Sequence, residues 1–258
     1  MSDTTPTPPP IPPQLASYSF SAPPGHDPSE REHIDGVIGA VEALLRQPRR
    51  VMYHLRQQNA GPLILGLLVA ALVSSLVYGL VVGTFSLGDQ LWAAPVKVAA
   101  GLFLSALICL PSLYIFSCLG GSQARLVEVC GLVAGLLTLL TVLLIGFAPV
   151  AWIFSRSTES VVVMGTLHLT FWFIATYFGM RFLHTGFHNL DANTGGGLRV
   201  WIVIFILVML QMTTALRPIV GEAEPSFLQA EKKFFVSHWL DCLRKANEPK
   251  TRTADTRP

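Results

Sequence analysis

Charged residues are scarce in this chain, and their scarcity excludes several classes of protein. Aspartate, glutamate, lysine and arginine make up 13% of its 258 residues, whereas ordinary soluble domains contain about 25%. The net charge of +2 is too small and too scattered for a nucleic-acid-binding surface, so we expect no nucleic-acid partner. Hydrophobic residues account for 51% of the chain, which predicts a protein embedded in the lipid bilayer.

Cysteine is also scarce, and recognisable catalytic motifs are missing. The four cysteines, Cys109, Cys118, Cys130 and Cys242, include no pair at the C-x₂-C spacing of a zinc site. Three of them lie within or beside apolar segments, where we expect them to be small buried hydrophobes. The sequence has no phosphate-binding loop, nucleophile elbow or haem motif. It therefore predicts a protein that is not an enzyme, with no cofactor and no metal centre.

A basic segment followed by a long apolar run marks the start of the membrane domain. Four arginines, Arg46, Arg49, Arg50 and Arg56, precede residues 63–85, which carry no charge. This run is long enough to cross a bilayer, since a spanning helix needs roughly 20 predominantly apolar residues. The four arginines are the predicted topology determinants, because basic residues beside a span favour the cytoplasm. The opening residues lack the apolar run of a cleavable signal peptide, so we expect this span to direct its own insertion.

Five apolar segments follow one another, and the short loops between them make neighbouring helices antiparallel. Basic residues accumulate in the loops on one side, which predicts a cytoplasmic N terminus and an external C terminus. Pro149 should tilt, kink or end the third segment. The segments are residues 63–85, 94–119, 126–154, 160–182 and 200–216. The charges assigned to loops are, on the cytoplasmic side, Arg125, Arg181 and Arg199 and, on the external side, Asp89, Lys97, Arg156 and Glu159.

The two flanks of the five-span domain, residues 59–217, differ from it in composition. Residues 1–28 are rich in proline and predict a disordered leader, with a ligand for a proline-recognising domain as the alternative. Residues 29–58 hold the basic segment and an amphipathic helix that should begin at Ser29 and end at Pro48. We expect this helix to lie on the cytoplasmic membrane surface or to pack under the bundle. Residues 218–258 should form a second amphipathic helix, over 226–246, and a polar tail.

Polar groups inside spans are functional candidates, because burying them in lipid is costly. Glu128, His168 and Gln211 form the candidate intramembrane polar site. The loop at residues 184–198 contains two histidines and an aspartate that could bind a metal ion, but the glycines that follow favour a solvated loop. These three loop residues are His184, His188 and Asp191.

Two G-x-x-x-G patterns lie within the predicted spans. The first is formed by Gly79 and Gly83, and the second by Gly131 and Gly135. Because glycine has no Cβ, such patterns allow two helix backbones to approach closely. We interpret them as sites of helix packing within the bundle, with packing between two copies of the chain as the alternative.

Two short phrases and the order of the spans carry a family resemblance. Positions 44–55 are Leu-Leu-Arg-Gln-Pro-Arg-Arg-Val-Met-Tyr-His-Leu, and they lead into five spans of which the third and fourth are close together. This arrangement resembles the Yip family of Rab-interacting membrane proteins, especially its bacterial branch. Positions 211–221, Gln-Met-Thr-Thr-Ala-Leu-Arg-Pro-Ile-Val-Gly, are similar to the end of a group of bacterial membrane proteins. The resemblance implies a five-span protein of the bacterial inner (plasma) membrane, a trafficking role through small GTPases in eukaryotic relatives, and no particular reaction.

Two functional hypotheses follow from these observations. The first is a membrane scaffold or an assembly or trafficking-type protein of the Yip-like class, because amphipathic flanks and close-packing glycines are present while a catalytic constellation is missing. Its partners would be the lipid bilayer and either further copies of the chain or other membrane proteins. The second is a transporter or channel subunit with a polar path near Glu128 and His168.

The span count can be tested with a reporter fused after Pro258. Five spans and a cytoplasmic N terminus place this position outside, so a phosphatase fusion should be active and a fluorescent-protein fusion dark. A fusion after Gly195, in the last predicted cytoplasmic loop, should give the opposite pair of signals and serves as the control. A fluorescent fusion after Pro258 would contradict an odd number of spans.

Overall fold

The computed structural model describes residues 24–86, 90–122, 124–157, 161–189 and 196–215. Within these ranges the chain is all-helical, as the sequence predicts, and contains no strand. Residues 1–23 of the proline-rich leader and the second amphipathic helix lie outside the described residues, whereas residues 24–28 of the leader are described. A short 3-10 helix, Pro28–Arg31, is followed by α1 Gly36–Arg46, α2 Pro48–Leu55, α3 Gly61–Ser86, α4 Gln90–Leu119, α5 Leu126–Ser157, α6 Val161–Asn189 and α7 Gly196–Ala215.

Four helices are long and apolar enough to cross a membrane, which indicates a membrane protein. Their apolar parts are Gly61–Thr84, Leu91–Leu119, Leu126–Ser157 and Val163–His188. The apolar part of α7, Gly196–Met212, is shorter. At about 1.5 Å per residue it covers roughly 25 Å of a hydrocarbon layer that is about 30 Å thick. The expectation of about five spans is therefore consistent with four full-length helices and one shorter one.

The spanning helices pack side by side in the order α7, α4, α3, α5, α6. α5 is the most enclosed, with 67% of its most apolar window buried, against 33–39% for the other three long helices. All residues from 131 to 138 are buried, so this stretch of α5 is enclosed on every side, whereas the later buried residues Thr141, Leu144, Ala148 and Ala151 recur at intervals of three and four and form one face. The largest fully buried side chains of α5 are Leu132, Leu136, Leu137, Leu140 and Leu144.

Several helices are longer than the apolar segments that predicted them. α5 continues through Pro149 to Ser157, so this proline does not end the third span. Lys97, assigned above to an external loop, lies in the second turn of α4 and is buried. Arg181 and Arg199, assigned to cytoplasmic loops, lie within α6 and α7. Loss of apolar composition does not end a helix, because the backbone hydrogen bonds continue until a turn residue interrupts them.

The N-terminal amphipathic segment is divided into more elements than the sequence predicts. Asp27, rather than Ser29, caps the 3-10 helix by accepting a hydrogen bond from the Ser29 backbone N–H at 3.2 Å. An extended stretch follows, and α1 begins only at Gly36, whose φ of +65° lies in the region that favours glycine. Pro48 does follow the end of α1, but it also begins α2, since proline fits the first turn of a helix.

The close approach of α3 and α4 can be tested at Gly79. A Cβ atom at this position would lie 2.5 Å from the Pro95 Cα atom and 3.2 Å from the Ala94 carbonyl oxygen, and backbone atoms cannot rotate away. Gly79→Ala should therefore lower stability by about 1–3 kcal/mol and reduce the thermal midpoint in detergent. Gly165→Ala is the matched control, because a Cβ atom there has no neighbour within 4 Å. Equal midpoints for the two variants would contradict this packing.

Candidate functional site

Residues 24–57 form a folded unit at one end of the bundle, which we call the head. Its central ion pair joins Glu30 to Arg49, with the Arg49 Nε atom donating to a carboxylate oxygen at 2.7 Å. The Gly25 backbone N–H donates to the other carboxylate oxygen at 2.5 Å. The Glu30 side chain is only 12% exposed, so this pair is enclosed and fixes the 3-10 helix to α2.

Arg50 fixes the extended stretch before α1. Its Nε atom donates to the Glu32 carbonyl oxygen at 3.0 Å, and one Nη atom donates to the His33 carbonyl oxygen at 2.7 Å. Arg46 is different, since it is exposed and pairs only loosely with Glu42, at 3.3 Å. Arg49 and Arg50, two of the predicted topology determinants, therefore hold the head together. The orientation of the chain in the membrane stays a prediction.

Glu128 belongs to a second polar cluster, where the head meets the first turn of α5. Its carboxylate accepts hydrogen bonds from the Arg125 backbone N–H at 3.0 Å and from the Arg125 guanidinium at 3.1 Å. The same guanidinium donates to the Arg56 carbonyl oxygen at 2.7 Å. Glu128 thus accepts a backbone hydrogen bond at the start of α5 and, through Arg125, connects that start to the turn after α2. Both contacts are structural roles.

His168 lies far from this cluster and pairs with Tyr78. The Tyr78 hydroxyl and the His168 Nδ1 atom are 2.7 Å apart, and the two rings meet edge to face. The His168 Nε2 atom is the one buried side-chain polar atom, among the residues that the structure describes, without a hydrogen-bond partner. Tyr78 is a residue that motif searching misses, yet a tyrosine within an aliphatic span is itself a signal, because its hydroxyl needs a partner.

The three residues of the predicted intramembrane polar site do not meet. Phe171 of α6 stacks on Phe147 of α5, which places His168 beside the second half of α5, whereas Glu128 lies in its first turn. About twenty residues of helix separate these two levels, which corresponds to roughly 30 Å. Gln211 is exposed on α7, which packs against α4.

Between the levels of Glu128 and His168, α5 carries buried leucines and two buried threonines. The Thr138 hydroxyl lies 2.7 Å from the Leu67 carbonyl oxygen of α3 and 2.8 Å from the Ala134 carbonyl oxygen. The Thr141 hydroxyl lies 2.9 Å from the Leu137 carbonyl oxygen. Each hydroxyl donates its hydrogen bond to a backbone carbonyl oxygen. The two threonines therefore do not form a polar path along α5.

A polar concavity in the described residues is formed by a groove of the head. It has a volume of about 440 Å³ and lies between the extended stretch and α1. Both signs of charge line it, and His33 and Asp35 form an exposed pair at 3.3 Å. Such a surface can exchange its ion pairs for those of a charged protein segment. The lining residues are Glu32, His33, Ile34, Asp35, Gly39, Glu42, Ala43, Arg46, Gln47 and Arg50.

The predicted metal loop is partly helical. His184 and His188 lie in the last turns of α6, not in a loop, and Asp191 lies outside the described residues. The residues that the structure describes contain no group of three or more metal-ligating side chains.

No family model, curated protein or solved structure matches the chain. The candidate site therefore depends on geometry alone, and the head groove is the strongest candidate.

The role of the enclosed ion pair can be tested with Glu30→Gln. This change keeps the shape of the side chain but removes the charge that faces Arg49, and hydrogen bonds to charged groups are worth about 1.5–3 kcal/mol. Backbone amides of α2 should exchange with deuterium several-fold faster in the variant. Glu42→Gln is the control, because exposed pairs contribute about 0–1 kcal/mol. Equal exchange in both variants would show that the Glu30 pair does not hold α2.

Proposed function

We propose that this protein is a non-enzymatic membrane scaffold of the Yip-like class, and that its head groove is the docking surface for a protein partner. The observation that carries the proposal is the mixed-charge groove beside α1. One wall is held by the hydrogen bonds of Arg50 to the Glu32 and His33 carbonyl oxygens, whereas Glu42 and Arg46 remain exposed at its side. A preformed surface of this kind loses little entropy on binding a partner.

The attachment of the head to the spans supports a scaffold. Leu55 of α2 fills the space left by Gly131, and Leu44 of α1 contacts the position of the missing side chain at Gly135. The Arg125 hydrogen bond to the Arg56 carbonyl oxygen adds a polar connection at the same end. A partner bound in the groove would therefore be held at a defined position relative to the bilayer. The N terminus in the cytoplasm of a bacterial cell is the orientation we propose.

Exchanging the charges of Glu42 and Arg46 tests the groove. The double variant Glu42→Arg/Arg46→Glu keeps an i,i+4 pair on α1 but reverses the charges that a partner would meet. We expect the wild-type protein, cross-linked in its native membrane and purified in mild detergent, to retain one reproducible protein partner. The double variant should lose that partner at an unchanged thermal midpoint.

Two results would contradict this proposal. One is recovery of the same partner, in the same amount, by the wild type and the double variant. The other is a wild-type protein that shows neither a reproducible partner nor self-association. Val203→Arg is unsuitable as a control, since it places a charge on an apolar span. Ser157→Arg, at an exposed position near the opposite end of the bundle, is the better control and should retain the partner.

The transporter hypothesis predicts a different outcome. It requires proton or substrate flux that depends on Glu128 and His168, although roughly 30 Å of helix separates their levels along α5. Proteoliposomes that contain the wild-type protein and a pH-sensitive dye measure proton flux directly. The scaffold proposal expects the same leak for the wild type, the double variant Glu128→Gln/His168→Phe and empty liposomes. Flux that is present in the wild type and lost in a folded double variant would favour the transporter.

A further inference from the structure

Within the head, helix α1 packs against the sides of α3 and α5 near the head end of the bundle. A Cβ atom built at Gly66 of α3 would be 3.8–3.9 Å from Ala40, the Gly36 carbonyl oxygen and Val37. One built at Gly135 of α5 would be 3.5 Å from Leu44. α1 therefore crosses from α3 to α5 in van der Waals contact with both helices, and small residues on each side allow the close approach.

The depth of α1 follows from these contacts. Gly66 lies five residues after the start of α3, and Gly135 lies nine residues after the start of α5. With a rise of about 1.5 Å per residue, α1 lies roughly 8–14 Å inside the head-side ends of those helices. These contacts place α1 beside the second and third turns of the two spanning helices, whereas its expected position on the membrane surface stays a prediction.

Arg181 indicates where this level lies relative to the lipid. Arg181 is exposed on α6. The next residue, Phe182, would lie 2.6 Å from a Cβ atom built at Gly135, and Leu44 of α1 would lie 3.5 Å from the same atom. Arg181 and α1 are therefore at the same level of the bundle. An exposed arginine within a spanning helix extends its guanidinium to the headgroup layer while its stem covers apolar surface. The boundary between hydrocarbon and headgroups therefore lies near the level of α1.

The outward surface of α1 divides into an apolar strip and a polar strip. Successive residues are about 100° apart around a helix, so Val37, Ile38, Val41 and Leu45 share one side of the exposed surface. Ile38 is 84% exposed. On the adjacent side are Glu42 and Arg46, which face the groove, while Ala40, Ala43 and Leu44 are buried against the bundle. We call the side formed by Val37, Ile38, Val41 and Leu45 the apolar strip.

We propose that the apolar strip inserts into the hydrocarbon of the leaflet on the head side, so that lipid acyl chains are its occupant and Glu42 and Arg46 stay among the headgroups. The depth of α1, the level of Arg181 and the division of its surface all point to this arrangement. A helix with one apolar and one charged side is stable at such a boundary. The inference does not rest on the scaffold proposal, since a transporter could anchor its head in the same way.

Spin labels on the full-length protein test this proposal. Cys109, Cys118, Cys130 and Cys242 are first replaced by serine, and single cysteines are then placed by Ile38→Cys, Leu45→Cys or Glu42→Cys. The protein is reconstituted in phosphatidylcholine and phosphatidylglycerol vesicles, and label collisions with oxygen and with a water-soluble nickel chelate are measured. At positions 38 and 45 oxygen collisions should exceed nickel collisions several-fold, and Glu42→Cys, the matched control, should show the reverse.

Two label results would overturn the proposal. Frequent nickel collisions at all three positions would place the strip in water. Rare collisions with both reagents at positions 38 and 45 would show that protein, such as a second copy of the chain, covers it. The unmodified protein gives an independent measurement, because a photoactivatable phospholipid should label the tryptic peptide of residues 32–46 through its acyl chain. Absence of that adduct, with adducts present on α4, would contradict lipid contact even if a cysteine variant misfolds.

Discussion

Close packing around α5 holds the other helices in position. Leu132 and Leu136 contact the α6 backbone where Gly186 and Gly179 leave space, and the Thr138 hydroxyl lies 2.7 Å from an α3 carbonyl oxygen on the other side. Lipid tails are as apolar as leucine, so contact area and interhelical hydrogen bonds, rather than the hydrophobic effect, select neighbours inside a bilayer. The remaining helices pack farther from α5. α4 packs on α3, and α7 packs on α4 with the Trp201 indole donating to the Cys109 carbonyl oxygen at 2.9 Å.

The head depends on the same centre. Gly131 and Gly135 were interpreted as a site where spanning helices approach one another, and the structure places side chains of the head against both. Gly135 is also contacted by Phe182 of α6, so α1, α5 and α6 converge there. A G-x-x-x-G pattern specifies where a helix surface is flat, but it does not specify which neighbour fills the flat surface. Here the neighbours at Gly131 and Gly135 include the elements that precede the first span, which couples the head to the bundle.

Charge and hydrogen bonding have separate roles at the two ends of the bundle. At the head end, the pair of Glu30 and Arg49 joins the 3-10 helix to α2, and Arg125, which pairs with Glu128, donates to the Arg56 carbonyl oxygen. At the other end, Tyr78 and His168 join α3 to α6. Between them the described interior is mostly apolar, with buried leucines and with threonines bonded to the backbone. Polar side chains also connect helices there, since the Thr138 hydroxyl lies 2.7 Å from the Leu67 carbonyl oxygen of α3.

Composition and hydropathy alone determined that the chain is an all-helical membrane protein with about five apolar helices, because a spanning segment needs length and lack of charge, and both are local properties. The same local information located Glu128, His168 and the four glycines. It did not show that Glu128 caps α5 beside Arg125, that Tyr78 is the partner of His168, or that Lys97 is buried in α4. Nor did it show that α1 crosses α3 and α5 beside their second and third turns. Only the tertiary structure decided these points, because partners, burial and depth depend on which helix faces come together, and nearly uniform apolar sequences leave that choice to the packing of small and large side chains.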